Sequence, residues 1–358
     1  MLVWLDMLTP KQLLFVGEIG KRLEARGYEI FRTTRQYREV DDLLKVKDIN
    51  AVVVGKHGGS TLEGKLAAGA RRIEELAHII GRLQPGLSFA FASPEAARTA
   101  FGLGIPHYTA NDSPHAEAVA KLTIPFSDRL FSPFVIPRGV WVRLGARPSQ
   151  IIQYNGLDPM AWLKSSAPNP SILDQLGLDN GRPIVVFRVE ESFASYLLGR
   201  VQAQSVIVPI VNTLVESYGG SIQIVILPRY QEQLQAIRST FHGSVQVPRT
   251  AIDGPNLLFF TSLFIGAGGT MTAEAALLGT PSISTYPGPP TLIEKYLVHE
   301  KLISRITDPQ KILKKIGQIL SNLSEERRLQ RDRATALQAR MEDPADAIAN
   351  HIEKAFPP

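Results

Sequence analysis

The sequence contains no cysteine, which excludes disulfides, thiolate metal sites and a cysteine nucleophile and leaves a reducing compartment compatible. No apolar stretch approaches the roughly 20 residues that span a bilayer. A secretory leader is not expected either, because Asp6 interrupts the first apolar run and no basic stretch precedes it; the expectation is a cytoplasmic protein. No charge of one sign dominates. Lys and Arg number 39 against 34 Asp and Glu, a formal excess of +5. That favours an anionic substrate but is too small and dispersed to imply nucleic acid. Internal repeats and low-complexity tracts are missing. The adjacent carboxylates Asp41-Asp42 stand beside Leu43 and Leu44 in an amphipathic helical pattern and read as solvated surface, so no metal is expected. What is present is a chain of 358 residues, 44% hydrophobic and 20% charged, long enough for two domains with a core each.

Apolar runs alternate between strand and helix type. Strands are expected at Leu2 to Leu5, Glu29 to Thr33, Ala51 to Val54, Leu87 to Ala92 and Ile105 to Ala110. Between them lie a helix with Leu13, Val16, Ile19 and Leu23 on one face, a long helix from Ser60 to Leu83, and another from Pro94 to Leu103. Such alternation implies a parallel sheet covered on both faces, with ligands beyond the carboxyl ends of the strands. A stretch rich in Pro, Asn, Ser and Asp, Gly156 to Pro183, interrupts the pattern. It divides the chain into a first domain, 1–160, a linker, 161–183, a second domain, 184–342, and a final helix, 343–358. In the second domain strands are expected at Ile184 to Val189, Ser221 to Leu227, Val245 to Val247, Leu263 to Ile265 and Ser282 to Thr285, with a helix from Tyr230 to Phe241. Helices close the chain at Pro309 to Leu323, Glu325 to Met341 and Pro344 to Ala355.

The richest stretch runs from Gly266 to Pro281, Gly-Ala-Gly-Gly-Thr-Met-Thr-Ala-Glu-Ala-Ala-Leu-Leu-Gly-Thr-Pro. It reads as a strand end, a glycine turn and a helix start, with Thr270 or Thr272 as cap and Gly279 and Pro281 as the stop. A glycine turn opening a helix offers free N–H groups and a positive dipole end to an anion. Glu274, a carboxylate beside that anion, would suit ribose hydroxyls. The plain alternative is a strand–turn–helix joint of the sort any α/β protein contains. Arg188 and Arg229 follow strands of the same domain and could pair with a diphosphate or stand as surface arginines. Ser192 and Ser195 could donate to phosphate or cap a helix. In the first domain His57 sits in Gly-Lys-His-Gly-Gly-Ser, as a base, a phosphate donor or part of a glycine turn. Asp112, His115 and Glu117 crowd acid–base groups at one strand mouth, unless Asp112 or Ser113 is only a helix cap.

The spacing Ala-Gly-x-x-Thr-x-x-Glu followed by Gly-x-Pro resembles the donor motif of GT-B enzymes, closest to the N-acetylglucosaminyltransferase that makes lipid II. It is also similar to a segment of UDP-N-acetylglucosamine 2-epimerases. The resemblance implies that Gly268, Gly269 and Thr270 face a diphosphate, that Glu274 holds the ribose, and that Val247 to Asp253, with Ile252 in it, reads the base. Together with Gly55-Lys56-His57-Gly58-Gly59-Ser60, Asn111 to Glu117, Leu227-Pro228-Arg229 and Tyr286-Pro287-Gly288, the chain is identified as a member of a largely archaeal family without an assigned reaction, grouped with the GT-B superfamily. The epimerases' acidic Gly-Asp-Thr and Glu-Ala-Gly contexts are replaced here by Ala92-Ser93-Pro94 and Asn111-Asp112-Ser113.

The resemblance implies two Rossmann-like parallel-sheet domains facing a cleft, with the C-terminal helix crossing back to the first. It also implies metal-independent glycosyl transfer from a nucleotide sugar, a UDP-sugar favoured, without a tightly bound cofactor. Alternatives are a nucleotide-sugar epimerase or hydrolase, and a binding protein without chemistry. The acceptor is not named by the residues, and lipid-linked ones are among the candidates. Membrane contact would be peripheral at most. The segment Phe131 to Leu144, with Phe134, Val135, Ile136, Trp141 and Val142 beside Arg138 and Arg143, reads as a lipid-facing surface or as a helix packed on the first domain.

Overall fold

A parallel sheet covered by helices on both faces must bury its central strands along both sides, and Leu2–Met7 is buried at every position but the first. The computed structural model describes residues 1–189, 207–229 and 231–358. The chain forms two compact units. The first holds Met1–Lys164 and Met341–Pro358; among the described residues the second holds everything from Ser165 to Arg340.

The first unit contains β1 (Leu2–Met7), β2 (Glu29–Gln36), β3 (Val52–Lys56), β4 (Leu87–Phe91), β5 (His107–Ala110), β6 (Arg129–Pro133) and β7 (Ile151–Tyr154). They make one sheet in the order β3-β2-β1-β4-β5-β6-β7. All its pairings are parallel; Val3 of β1 stands opposite Ile30 on one side and Leu87 on the other. The order reverses between β1 and β4, so their carboxyl ends open a crevice of the kind that binds ligands in such sheets. One face is covered by the helix Pro10–Glu24, capped by Thr9 and burying Leu13, Val16, Ile19 and Leu23 as the periodicity predicts. On the other, Trp4, Val54 and Ala90 pack with Leu76 and Ile80 of the long helix Leu62–Leu83 and Ala96 and Ala100 of the helix Pro94–Gly102.

The C-terminal helix Pro344–Ala355 belongs to this unit and packs on Pro10–Glu24, with Ile348, Ala349 and Ile352 buried. Asp343 caps it by accepting from the Ala345 N–H at 2.8 Å, and also pairs with Arg22 at 2.9 Å. Arg22 reaches Asp346 at 3.0 Å and Glu18 at 2.7 Å, and the Tyr28 hydroxyl donates to the Phe356 carbonyl at 2.5 Å.

The second unit contains β8 (Ile184–Arg188), β9 (Gln223–Leu227), β10 (Leu263–Gly266), β11 (Ser282–Ser284) and β12 (Ser304–Arg305) in the order β12-β11-β10-β8-β9, again all parallel. Here the order reverses between β8 and β10. One core joins Val185, Phe187, Ile224 and Ile265 to Ile210 and Leu214 of the helix Ile207–Tyr218 and to Ile312 and Ile316 of the helix Pro309–Ser321. The other joins Val186, Val225 and Phe264 to Leu257 and Leu258.

Several expectations need correction. Val245 to Val247 is not a strand: only Gln246 forms a single bridge, to Val225. β6 and β7 were not expected; both are short, and Arg129, Ser132 and Gln153 break up their apolar runs, which hides the strand pattern. The segment 161–183, expected as a linker, carries packed structure on both sides of Lys164. Met160–Leu163 is a buried turn of helix in the first unit, and Ile172 and Leu173 of the helix Ser171–Leu176 enter the second unit's core. In the segment Phe131 to Leu144, Phe131, Ile136 and Trp141 are buried, and Trp141 Nε1 donates to Ser132 Oγ at 2.8 Å. Only Phe134 and Val142 of its large apolar side chains stay exposed, which leaves no continuous lipid-facing stripe. Among the described residues no helix is long and apolar enough to cross a membrane.

One position fixes how closely the helices of the second unit pack. Gly279 has φ +73°, and a Cβ there would stand 2.6 Å from Arg331 Cα in the helix Leu323–Gln338. Gly279→Ala is expected to lower the unfolding free energy by about 2–4 kcal/mol, combining a left-handed backbone with a backbone clash. Urea denaturation measures it, and a loss below about 1 kcal/mol would show that the two helices separate freely.

Candidate functional site

In the second unit β10 runs into a turn and then the helix Thr270–Leu277. Gly268 and Gly269 have φ of +78° and +85°, backbone that side-chain-bearing residues rarely adopt. Gly269 occupies the N-cap and no side chain caps the helix, so the expected Thr270 or Thr272 cap is not formed. Thr270 is instead the first helical residue, and Thr272 is buried with its hydroxyl lacking a hydrogen-bond partner among the described residues. The first-turn N–H groups therefore point beyond the carboxyl end of β10 without a side-chain acceptor, beside the point where the strand order reverses.

A Cβ on Gly268 would meet Tyr286 Cβ at 3.2 Å, so the Tyr286-Pro287-Gly288 turn closes over the glycine turn. Arg305 holds that turn, donating to the carbonyls of Gly288 at 2.6 Å and Tyr286 at 3.1 Å. Behind it Ser284 Oγ donates to the buried Glu294. Neither Arg305 nor Glu294 stands out in the sequence, because what marks them is their place under a turn 17 and 6 residues away from Gly288. Glu274 is 4% exposed, one turn into a helix whose Thr272–Leu277 segment is entirely buried, rather than lining an open surface.

Arg188 and Arg229 brace each other's strand ends. Arg188 donates to the Pro228 carbonyl at 2.9 Å, and Arg229 Nε donates to the Val189 carbonyl at 3.0 Å. Both remain half-buried at the carboxyl ends of β8 and β9. Ile252 packs partly buried against the core cluster that includes Phe264, and Asp253 caps the next helix, Gly254–Phe260. Ser192 and Ser195 lie outside the described residues.

In the first unit the chemistry-bearing side chains form three groups. At the crevice itself, Asp6 is fully buried and takes Arg72 NH2 at 2.6 Å and NH1 at 3.0 Å, Thr33 Oγ1 at 2.6 Å and Ser93 Oγ at 2.7 Å. Burial pushes its carboxyl up, but Arg72 and the two hydroxyls outweigh that and hold it below the usual carboxylate range.

Beside it, at the ends of β1 and β5, Lys11 bridges Asp112 and, at 2.6 Å, Asp158, and lies 4.3 Å over the Phe91 ring. The two carboxylates differ in proton affinity. For Asp112 burial is outweighed by Lys11 and by the Ser113 hydroxyl at 2.7 Å, which hold it low. For Asp158, 1% exposed and accepting the Tyr154 hydroxyl at 2.5 Å, burial together with the charge of Asp112 raises it to about 6. His115 stands at the surface near Asp112. Packing around it and the Lys11 charge lower its pKa, and Asp112 offsets this only partly, so the ring is neutral at pH 7.

The third group gathers at the ends of β2 and β3. His57 stacks on Tyr37 with centroids 5.0 Å apart, and its Nδ1 accepts from the Gly59 N–H at 3.2 Å. Burial, then Arg35 and Lys65, push it down to about 4.

The structure thus separates the four expected acid–base residues. β3 and β5 are four strand spacings apart in the sheet order, which puts His57 about 19 Å from Asp112, too far to share a proton. Asp112 and His115 stay together. Glu117 joins neither group: its side chain is 63% exposed and pairs with Lys121 at 2.6 Å, an i,i+4 contact on its own helix. Asp6 is legible in the sequence as a strand-end carboxylate, whereas Lys11, Asp158 and Arg72 are not. Pro10-Lys11 right after β1 and Asp158 in a Gly-Leu-Asp-Pro turn were the available signals.

Among solved structures, the chain is similar to the Neisseria meningitidis UDP-GlcNAc 2-epimerase bound to UDP-GlcNAc, with TM-score 0.74, 13% identity, and 99% and 100% of the two chains covered. It is also similar to the glycotransferase of kitacinnamycin, with TM-score 0.61, 13% identity and 99% of each chain covered. At such identities the likeness is one of fold, the pair of Rossmann-like parallel-sheet units of GT-B enzymes. An uncharacterised protein of Methanocaldococcus jannaschii is 30% identical over 316 residues, 87% of this chain and 89% of that one. The match of residues 1–352 to a single family model agrees with that relative: the chain belongs to the family described as protein of unknown function DUF354.

Proposed function

We propose that the protein is a metal-independent enzyme acting on a nucleoside diphosphate sugar, a UDP-sugar by preference, and that it transfers the glycosyl group to a hydroxyl acceptor. The observation that carries this reading is the uncapped helix Thr270–Leu277 behind two left-handed glycines, at the place where the strand order of the second unit reverses. Its first N–H groups and dipole suit the diphosphate, with Thr270 at the entrance and Arg188 and Arg229 beside it. Glu274 accepts the ribose hydroxyls, and the backbone around Ile252 reads the base. In the step itself His115, neutral and next to Asp112, takes the acceptor's proton. The acceptor oxygen then bonds to the anomeric carbon, and the bond from that carbon to the diphosphate breaks with its electron pair going to the departing nucleotide.

A second reading, epimerase or hydrolase, draws support from Lys11 between two carboxylates of unlike proton affinity, an arrangement suited to removing and returning a proton. The folds named above include a 2-epimerase. Turnover of UDP-GlcNAc without any acceptor would favour this reading over transfer.

Calorimetric titration with UDP and GDP tests the nucleotide site. UDP is expected to bind, and Glu274→Gln to weaken it by about 1–3 kcal/mol, the scale of a charge-assisted hydrogen bond. A melting curve run alongside controls for the buried position. Equal affinity in a folded Glu274→Gln variant would remove the ribose role.

A further inference from the structure

We infer that the carboxyl ends of β2, β3 and β4 form a second small-molecule site, for a ligand carrying an oxyanion and a neighbouring hydroxyl, held by Arg35, His57 and Glu95. Arg35 is the last residue but one of β2 (Glu29–Gln36), and Glu95 lies in the first turn of the helix Pro94–Gly102. Arg35 Nε and Glu95 Oε2 are both buried without a hydrogen-bond partner among the described residues. They lie close enough that Glu95 is the strongest charge acting on Arg35, yet they form no ion pair with each other. Two half-buried side chains of opposite charge, each with one enclosed and unbonded atom, leave a gap whose walls want an acceptor on one side and a donor on the other.

The surrounding groups fix the polarity of that gap. Arg72 does not supply the missing partner, because its guanidinium is spent on Asp6 and, through Nε, on the Val54 carbonyl at 2.9 Å. Glu95 Oε2 is therefore left to a donor from elsewhere. His57, the other group at this end of the sheet, uses Nδ1 to accept from Gly59, which leaves Nε2 as the N–H donor. The ring feels the Arg35 and Lys65 charges, so the mouth is electropositive. The Tyr37 ring stacked on His57 makes its wall. Two donors and positive potential suit a phosphate or carboxylate, and Glu95 suits a hydroxyl next to it. Neither requirement fits a neutral polyol or a bare cation. The site lies in the first unit and does not depend on the nucleotide reading of the second.

Calorimetry on the full chain with glycerol 3-phosphate, gluconate, inorganic phosphate and glycerol tests it. Glycerol 3-phosphate or gluconate is expected to bind and glycerol not, and which of the two binds identifies the oxyanion. Arg35→Gln is expected to weaken binding at least about tenfold, Arg35→Lys less, and His57→Gln measurably, should Arg35→Gln prove poorly folded. Glu95→Gln should weaken glycerol 3-phosphate or gluconate but leave inorganic phosphate unchanged. By NMR the ring signal that disappears in His57→Gln should move on adding ligand. UDP affinity should be the same in all four variants, so a failed UDP titration speaks against the nucleotide reading alone. The inference is overturned if neither anion binds, if glycerol binds as well as they do, or if folded Arg35→Gln binds the anion like the native protein.

Discussion

Arg72→Met is expected to destabilise the first unit by about 3–5 kcal/mol, the largest stability effect of any single substitution here. Asp6 and Arg72 are 0% and 1% exposed, and the guanidinium supplies two of the four hydrogen bonds to the carboxylate. Removing it strands a buried charge with only two hydroxyls, and frees the Val54 carbonyl as well. Exchanging both partners for apolar residues of similar volume should cost far less, since no charge is then left behind. Acid should narrow the gap. The folded pKa of Asp6 lies below its ordinary 3.8, so its contribution is complete above that value and is lost as the pH falls through the lower, folded one. Denaturant unfolding of native protein and variant at pH 7 and below pH 3.8 measures both effects. A loss under about 1 kcal/mol at neutral pH would mean that the crevice rearranges around the carboxylate.

His115→Ala is expected to lower turnover by about 10²–10⁴-fold, the range for a lost general base, while UDP affinity stays within about twofold. The packing and the Lys11 charge that lower the pKa of His115 keep it unprotonated and able to accept a proton at pH 7. In the native enzyme the rate should therefore rise with pH through a midpoint below 6.5, and that acid limb should vanish in the variant. Glu117→Gln, on a solvated helix face, should change neither quantity. Loss of UDP binding in His115→Ala would overturn the division of labour and put the nucleotide in the first unit.

What the sequence discloses is what the chain keeps local. The strand, glycine turn and helix from Leu263 to Leu277 lie within one run of the backbone, so their geometry can be read from residue types alone. The same holds for Asp112 and His115, three residues apart. Thr270 and Thr272 were misjudged as caps because two successive left-handed glycines carry the chain into the helix by a path that leaves the N-cap to Gly269. Asp6 and Arg72 are 66 positions apart and meet only because the helix Leu62–Leu83 packs back across the sheet onto β1. Lys11 with Asp158, and Arg35 with Glu95, depend on the fold in the same way. No local pattern marks them. The stretch 161–183 misled for the opposite reason: its Pro and Asn content resembles a linker, while Ile172 and Leu173, two residues of a short helix, decide that it is core.

Among the described residues the first unit is made of two pieces of chain, Met1–Lys164 and Met341–Pro358, with the second unit inserted between them. During synthesis the second unit, read from one continuous stretch, can close before the ribosome reaches its end. The first cannot. Until residues 343–356 emerge, Leu13 and Val16 still have their sheet, but Arg22 and Glu18 face solvent without Asp343 and Asp346, and the surface that will cover Ile348 and Ile352 stays open. Completion of the earlier-made unit is thus deferred until residues 341–358 are translated, after the second unit, and a chain cut short at Arg340 would be released with its older half unfinished and its younger half complete.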